Sequence, residues 1–355
     1  MKNQGKIQIC ALGCRLNALE AEKIRAMLDA TGMGRAVVIN TCSVTNEAQR
    51  QSRQAFHKIL RENPGVPIFV TGCGATLKPG DFAGATVVSN EDKFNPAAYG
   101  LRIANREPRV AKYEKMQKKG FVQIGDGCDR RCTYCVTRIL RGGAKSFPYD
   151  RIMADARALL DNGYEEIVLT GVNIADYNGK GTGKKGLDLA GLCRKLLTDL
   201  PEMKRLSLSS LDPAADIESI IGLIAGEPRM TPHLHLSVQS GSNEILRRMA
   251  RRHTRERIRE IMSRAPIISC PSSLVPDITF SWDIICGFPG ETEEMFDETL
   301  ALARELRPVK IHAFPFSARP GTPAADMPGK IPRAEAKERV RRLILPTSGQ
   351  GNKIG

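Results

Sequence analysis

Gly127-Cys128-Asp129-Arg130-Arg131-Cys132-Thr133-Tyr134-Cys135 decides how the chain is read. Three cysteines stand at C-x3-C-x2-C spacing, just after the apolar, strand-like run Phe121-Val122-Gln123-Ile124. Three thiolates on one short loop can hold three irons of a cubane [4Fe–4S] cluster, leaving the fourth iron open to a small molecule. A structural zinc site takes four ligands, and the loop carries neither a histidine nor a fourth cysteine. Three incidental cysteines are the bland alternative, and the spacing and loop position speak against it.

The chain around this loop has 355 residues, which suggests two domains. At 41% apolar residues it can bury sizeable cores. No run approaches 18 uncharged apolar residues, and Met1 to Gln8 has no apolar signal region, so a cytoplasmic protein without a membrane partner is expected. Ten cysteines in such a protein point to ligands or catalytic groups rather than disulfides. The formal net charge of +14 favours a polyanionic partner, with nucleic acid the leading class, against a merely soluble basic protein.

Upstream, strands and helices alternate. Ile7 to Leu12, Val37 to Ile39 and Ile68 to Val70 read as strands, with Val87-Val88 a weaker fourth. Asn17 and Glu20 form a capping-box pattern for a helix reaching Leu28, and Thr45 caps a second helix to about Leu60. This order implies a parallel sheet with crossovers. Cys14, Cys42 and Cys73 each follow a strand. Ligands of an open parallel sheet bind outside the strand carboxyl ends, so three such cysteines can converge despite wide sequence separation. Gly13, Gly72 and Gly74 let the backbone approach a bulky group. A second cluster site is expected there, against cysteines that merely fill strand ends.

Two resemblances sharpen this reading. The Cys128–Cys135 spacing resembles the signature of the radical S-adenosylmethionine (SAM) enzymes. Leu12-Gly13-Cys14-Arg15-Leu16-Asn17, Asn40-Thr41-Cys42-Ser43-Val44-Thr45 and Thr71-Gly72-Cys73 resemble the N-terminal domain of the methylthiotransferases within that class. His312 to Pro323 also matches, and with Leu12 to Asn17 it looks nearest to the branch acting on threonylcarbamoyladenosine at tRNA position 37. The resemblance implies two [4Fe–4S] clusters. Cys128, Cys132 and Cys135 would hold the SAM-binding one, as catalytic and metal ligands; Cys14, Cys42 and Cys73 would hold an auxiliary one that presents sulfur. It further implies radical chemistry at adenine C2, a tRNA anticodon loop as partner, and an electron donor such as flavodoxin or ferredoxin.

From Phe121 onward, strands are expected at 121–124, 166–170, 205–209, 234–238, 282–286 and 310–314. Helices are expected at Asp150–Leu160, Leu187–Leu197, Glu244–Met249 and Glu291–Leu306. Six such units suggest a partial (β/α)6 barrel with active residues at the strand carboxyl ends. By resemblance, Gly171, Ser209, Gln239 and Arg251 contact SAM, and each reads equally well as a plain strand terminus. Asp283 reads as readily as structural. His233 and His235 share a strand face; packed or hydrogen-bonded histidines are favoured over a metal site because no carboxylate or cysteine flanks them. Cys10, Cys193, Cys270 and Cys286 lack ligand spacing and read as small buried residues. Arg247, Arg248, Arg251 and Arg252 form a basic cluster that suits phosphates or simply a solvated helix face.

The expected organisation is an α/β chain. Residues 1–104 form a methylthiotransferase N-terminal domain, 105–120 a linker, 121–345 a radical SAM domain and 346–355 a flexible tail. The family's small C-terminal barrel, the TRAM domain, is expected to be absent. Two departures from the family are Arg138, where a proline is common, and the Ser- and Pro-rich stretch 267–280. Alternative functions are methylthiolation of isopentenyladenosine-37 or of a ribosomal protein aspartate. From a different class, an inactive iron–sulfur or zinc RNA-binding adaptor also fits.

Overall fold

The computed structural model describes residues 7–101, 119–179, 186–268 and 277–344. Cys270, most of the expected linker and the expected tail lie outside them. The chain divides into two compact units. The first comprises residues 1–130 and 135–172; the second comprises 131–134 and 173–355.

The first unit opens with β1 (Gln8–Ala11), α1 (Arg15–Ala30), β2 (Val37–Thr41), α2 (Asn46–Glu62), β3 (Ile68–Thr71), α3 (Gly72–Leu77) and β4 (Thr86–Val87). The four strands pair in parallel in the order β1-β2-β3-β4. Alternate residues serve opposite faces. Val38 and Phe69 pack with Ile24 and Leu28 of α1, while Val37, Ile39, Ile68 and Val70 pack with Phe56 and Ile59 of α2. Covering both faces explains the unbroken apolar strands β2 and β3. Further along run β5 (Lys119–Gln123), β6 (Gly125–Asp126), α4 (Thr137–Arg141), β7 (Lys145–Ser146), α5 (Tyr149–Asp161) and β8 (Glu166–Thr170). β5 pairs with β8 in parallel, and β6 with β7 antiparallel.

The second unit contains α6 (Leu189–Asp199), β9 (Arg205–Leu208), α7 (Ile217–Gly226), β10 (His233–Gln239), α8 (Asn243–Arg248) and α9 (Arg255–Ile268). β11 (Thr279–Cys286), α10 (Glu293–Leu306), β12 (Lys310–Pro315), α11 (Pro323–Asp326) and α12 (Arg333–Ile344) follow. β10, β11 and β12 pair in parallel in that order, and isolated bridges join Leu206 of β9 to Met230 and Leu211 to Leu236 of β10. One face is apolar: Leu234, Leu236, Val238, Phe280, Trp282 and Ile284 are all buried. The opposite face is polar, with His233, His235, Ser281 and Asp283 hydrogen-bonded across it.

The α/β class with parallel strands is as the sequence predicts. Thr45 caps α2 by accepting from the Ala48 N–H. The capping box at Asn17 and Glu20 is not formed. α1 starts earlier, with Cys14 at its N-cap, and both polar side chains are fully buried in other bonds. Asn17 Nδ2 donates to the carbonyls of Leu12 and Thr41, at 2.9 and 2.8 Å. Glu20 binds two cations instead of its own helix end.

Candidate iron–sulfur centres

Cys14, Cys42 and Cys73 sit just past the carboxyl ends of β1, β2 and β3. Cys42 and Cys73 are buried, whereas Cys14 is exposed as a residue. The three thiols lie within electrostatic reach of one another. Burial around the sulfurs pushes the Cys14 and Cys42 thiols up from their ordinary pKa. Backbone N–H groups work the other way: that of Asn17 on Cys14, and those of Val44 and Cys14 on Cys42. Such donors stabilise a thiolate that has released its proton on binding metal. Gly13, at φ +86°, presses on the Cys42 side chain so closely that any Cβ there would overlap Cβ and Sγ. The glycine is what lets the first and second cysteines approach.

Cys128, Cys132 and Cys135 occupy the loop between β6 and α4. Gly127, at φ +66°, lies against the Gly143 carbonyl, where no side chain fits. Cys128 N–H donates to the Gly142 carbonyl at 3.1 Å, and Ala144 N–H to Asp129 Oδ1 at 3.1 Å. Within the first unit, the Arg130 N–H donates to Cys128 Sγ at 3.4 Å, and Cys135 Sγ and Thr137 Oγ1 are bonded at 3.2 Å. Within the second unit, Thr133 N–H donates to the Met249 carbonyl at 3.1 Å and its hydroxyl to the Arg248 carbonyl at 2.9 Å. Tyr134 packs against Ile245, Met249, Phe288 and Ala324. Thus both flanks of the loop are pinned while the sulfurs keep partial exposure.

Among the described residues no three His, Cys, Asp or Glu side chains gather tightly enough for a single metal ion. A tetrahedral zinc site would bring sulfurs within about 3.8 Å of each other, given Zn–S bonds of about 2.3 Å. Ligands to different corners of a cubane stand wider. Partly exposed sulfurs that accept from backbone N–H groups fit that larger group.

Of the SAM candidates, Ser209, Gln239 and Arg251 lie in the second unit and Gly171 in the first. Gln239 ends β10 just past a register irregularity and is held at φ +71°, a left-handed conformation rare for a side chain of its kind. Arg251 is turned inward rather than toward solvent, which corrects its place in the basic cluster. Its Nη1 lies 3.6 Å from Cys132 Sγ, and Nη2 donates to the Ser237 carbonyl at 2.8 Å and to Asp212 Oδ1 at 3.2 Å. Burial opposes the Arg251 charge, but Tyr134, Asp212 and Cys132 outweigh it and hold the pKa above its ordinary value. Arg247 and Arg248 pair with Glu244 on the helix surface.

The histidines are hydrogen-bonded within their sheet, as the sequence favours, but one partner was hidden from it. No carboxylate flanks them in sequence, yet Asp283 of the neighbouring strand stands 2.9 Å from His235 Nε2. Register between parallel strands, invisible in local sequence, supplies the partner. Cys193 and Cys286 are buried, with thiols pushed up to about 12 by that burial, and Cys10 is half-buried. Sequence reasoning missed Asp212, Lys93 and Arg141, which carry no motif of their own.

Known proteins share this arrangement. The Radical SAM superfamily model matches residues 122–303, and that of an uncharacterized family, UPF0004, matches residues 6–89. The threonylcarbamoyladenosine tRNA methylthiotransferase MtaB of Rickettsia prowazekii is 36% identical, over 97% of this chain and 83% of its own. The chain belongs to the radical SAM methylthiotransferases. The MtaB of Thermotoga maritima is 32% identical, over 94% of this methylthiotransferase and 80% of its own length. The tRNA-2-methylthio-N(6)-dimethylallyladenosine synthase of Erythrobacter litoralis is 31% identical, over 95% and 80%. In fold, the methylthiotransferase resembles the radical SAM methyltransferase TsrM of Kitasatospora setae, solved with cobalamin and a [4Fe–4S] cluster. The TM-score is 0.66 at 13% identity, covering 90% of this chain and 73% of that one. Radical SAM enzymes use a [4Fe–4S] cluster with SAM, and methylthiotransferases of the MtaB type carry a second cluster. No helix among the described residues is long and apolar enough to cross a membrane.

Proposed function

We propose that the chain transfers a methylthio group to C2 of N6-threonylcarbamoyladenosine at position 37 of tRNA. One observation carries the choice of substrate: four relatives named for that reaction are 32–36% identical over 94–99% of this chain. The net charge of +14 suits a tRNA partner. In this reading residues 1–104 serve as the N-terminal domain and 121–345 as the radical SAM domain, joined by 105–120. The enzyme works in the cytoplasm with flavodoxin or ferredoxin as reductant.

Cys128, Cys132 and Cys135 hold the SAM-binding cluster, and Cys14, Cys42 and Cys73 the auxiliary one. When bound, these groups supply the radical step at an unactivated C–H bond and the sulfur, which acid–base chemistry of side chains cannot provide. The protein's own part is orientation and exclusion of water. The backbone N–H of Arg130 and the hydroxyl of Thr137 support two of the loop sulfurs. Buried Arg251 places a fixed cation beside the third, Cys132, where it balances thiolate charge. Ser209, Gln239, Arg251 and Gly171 receive SAM. An anticodon-loop base, unstacked from its neighbours, can enter such a site.

A second reading is methylthiolation of dimethylallyladenosine, because four relatives named as tRNA-2-methylthio-N(6)-dimethylallyladenosine synthases are 30–32% identical. Mass spectrometry of tRNA nucleosides from a deletion strain separates the two. Loss of 2-methylthio-threonylcarbamoyladenosine is expected; its intact level, with loss of the dimethylallyl product, would establish the second reading.

A further inference from the structure

The N-terminal cysteines have a charged neighbour that no motif announces. Arg141 closes α4, six residues beyond Cys135. Its side chain is only 3% exposed. Nη1 lies 2.7 Å from Glu20 Oε1 and 3.0 Å from Asp126 Oδ1, and Nη2 donates to Asn17 Oδ1 at 3.3 Å. Lys93 Nζ holds the same Glu20 oxygen at 2.7 Å, with its own side chain 2% exposed. Asn17, which Arg141 Nη2 reaches, stands three residues past Cys14, the N-cap of α1. Cys73 also packs directly on Val136 and Leu140 of the segment that carries Arg141.

Buried ion networks are poor devices for stability, because desolvation cancels much of the attraction. A network kept beside three thiols therefore points to a role at those thiols. Fixed charge in a low-dielectric site acts strongly on a redox group, and charge near a cluster is one of the protein's levers on its potential. An added electron is stabilised by a nearby cation and opposed by a nearby anion.

We propose that Arg141 is a positioning residue for the N-terminal cluster: locked by Glu20 and Asp126, its guanidinium fixes a positive charge beside Cys14 and Cys73 and raises the reduction potential of the cluster they carry. The inference rests on Cys14, Cys42 and Cys73 being cluster ligands. It deepens that reading by naming the residue that sets the cluster's electronics.

The test isolates one cluster. A full-length chain with Cys128, Cys132 and Cys135 all changed to Ala is purified anaerobically and loaded with iron and sulfide. Its midpoint potential is measured by EPR-monitored redox titration, alone and with Arg141→Gln, Arg141→Lys or Glu20→Gln added. Arg141→Gln should shift the potential negative, Glu20→Gln should shift it positive, and Arg141→Lys should stay nearer the parent than Arg141→Gln. Merely structural roles would not give shifts of opposite sign. Shifts in one direction, or none, overturn the inference. If Arg141→Gln fails to load, Glu20→Gln decides alone: a positive shift supports the inference, and any other result overturns it. A parent that binds no iron refutes the cluster reading itself, and the inference falls with it.

Discussion

At the scale of single residues, the sharpest expectations concern charge and strain. Glu20 is wholly buried between Lys93 and Arg141. Burial works against its carboxylate, yet the two cations outweigh it and hold its pKa below the usual value of about 4.3. Its contribution to stability is therefore complete above that pH and drains away as pH falls through the lowered folded value. Glu20→Gln should flatten the acid limb of a stability-against-pH curve measured by urea unfolding; an unchanged slope would contradict this. Glu20→Ala leaves two buried cations facing each other and should cost about 3–5 kcal/mol. Gln239 makes the opposite case. Its positive φ costs about 1 kcal/mol that glycine would not incur. Gln239→Gly should raise the melting temperature slightly while weakening SAM binding by calorimetry. Unchanged SAM affinity would remove Gln239 from the pocket.

At the scale of elements, the loop after Cys286 shows how much was legible and why the rest was not. Parallel strands announce themselves through apolar runs such as Val37-Val38-Ile39 and Trp282-Asp283-Ile284-Ile285. The cysteines announce themselves through spacing. By contrast α12 is a charged helix, Arg333 to Ile344, whose one deeply buried polar side chain, Arg339, looks from sequence like solvated surface. Arg339 Nη1 in fact reaches Glu291 Oε2 at 2.8 Å, and the same oxygen accepts from the Gly287 N–H at 2.6 Å. That contact links residues 48 apart, beyond any local pattern. α7 hides for the opposite reason, since Ile217 to Gly226 is nearly all apolar and carries little amphipathic signal. The partnership of His235 with Asp283 and the ion network of Glu20 were hidden in the same way, by strand register and by long-range approach. Arg339→Ala should destabilise the second unit by about 3–5 kcal/mol and raise amide exchange in residues 287–291. Exchange unchanged in that loop would show that Glu291 does not depend on Arg339.

At the scale of the whole molecule, a basic chain meets a polyanion. With a net charge of +14, tRNA binding should weaken steeply as salt rises, linearly in log affinity against log salt. A flat dependence would mean that contacts to phosphate contribute little. The function proposed above requires two clusters held apart in sequence, one assigned to Cys14, Cys42 and Cys73 and one to Cys128, Cys132 and Cys135. The direct measurement is iron and sulfide content per chain after anaerobic purification, for the unaltered protein and for the Cys14, Cys42, Cys73→Ala variant. Two cubanes predict about eight irons falling to about four, with SAM cleavage under dithionite retained and methylthiolation lost. Four irons in the unaltered protein, or an undiminished count in the variant, would contradict the assignment of the N-terminal cysteines.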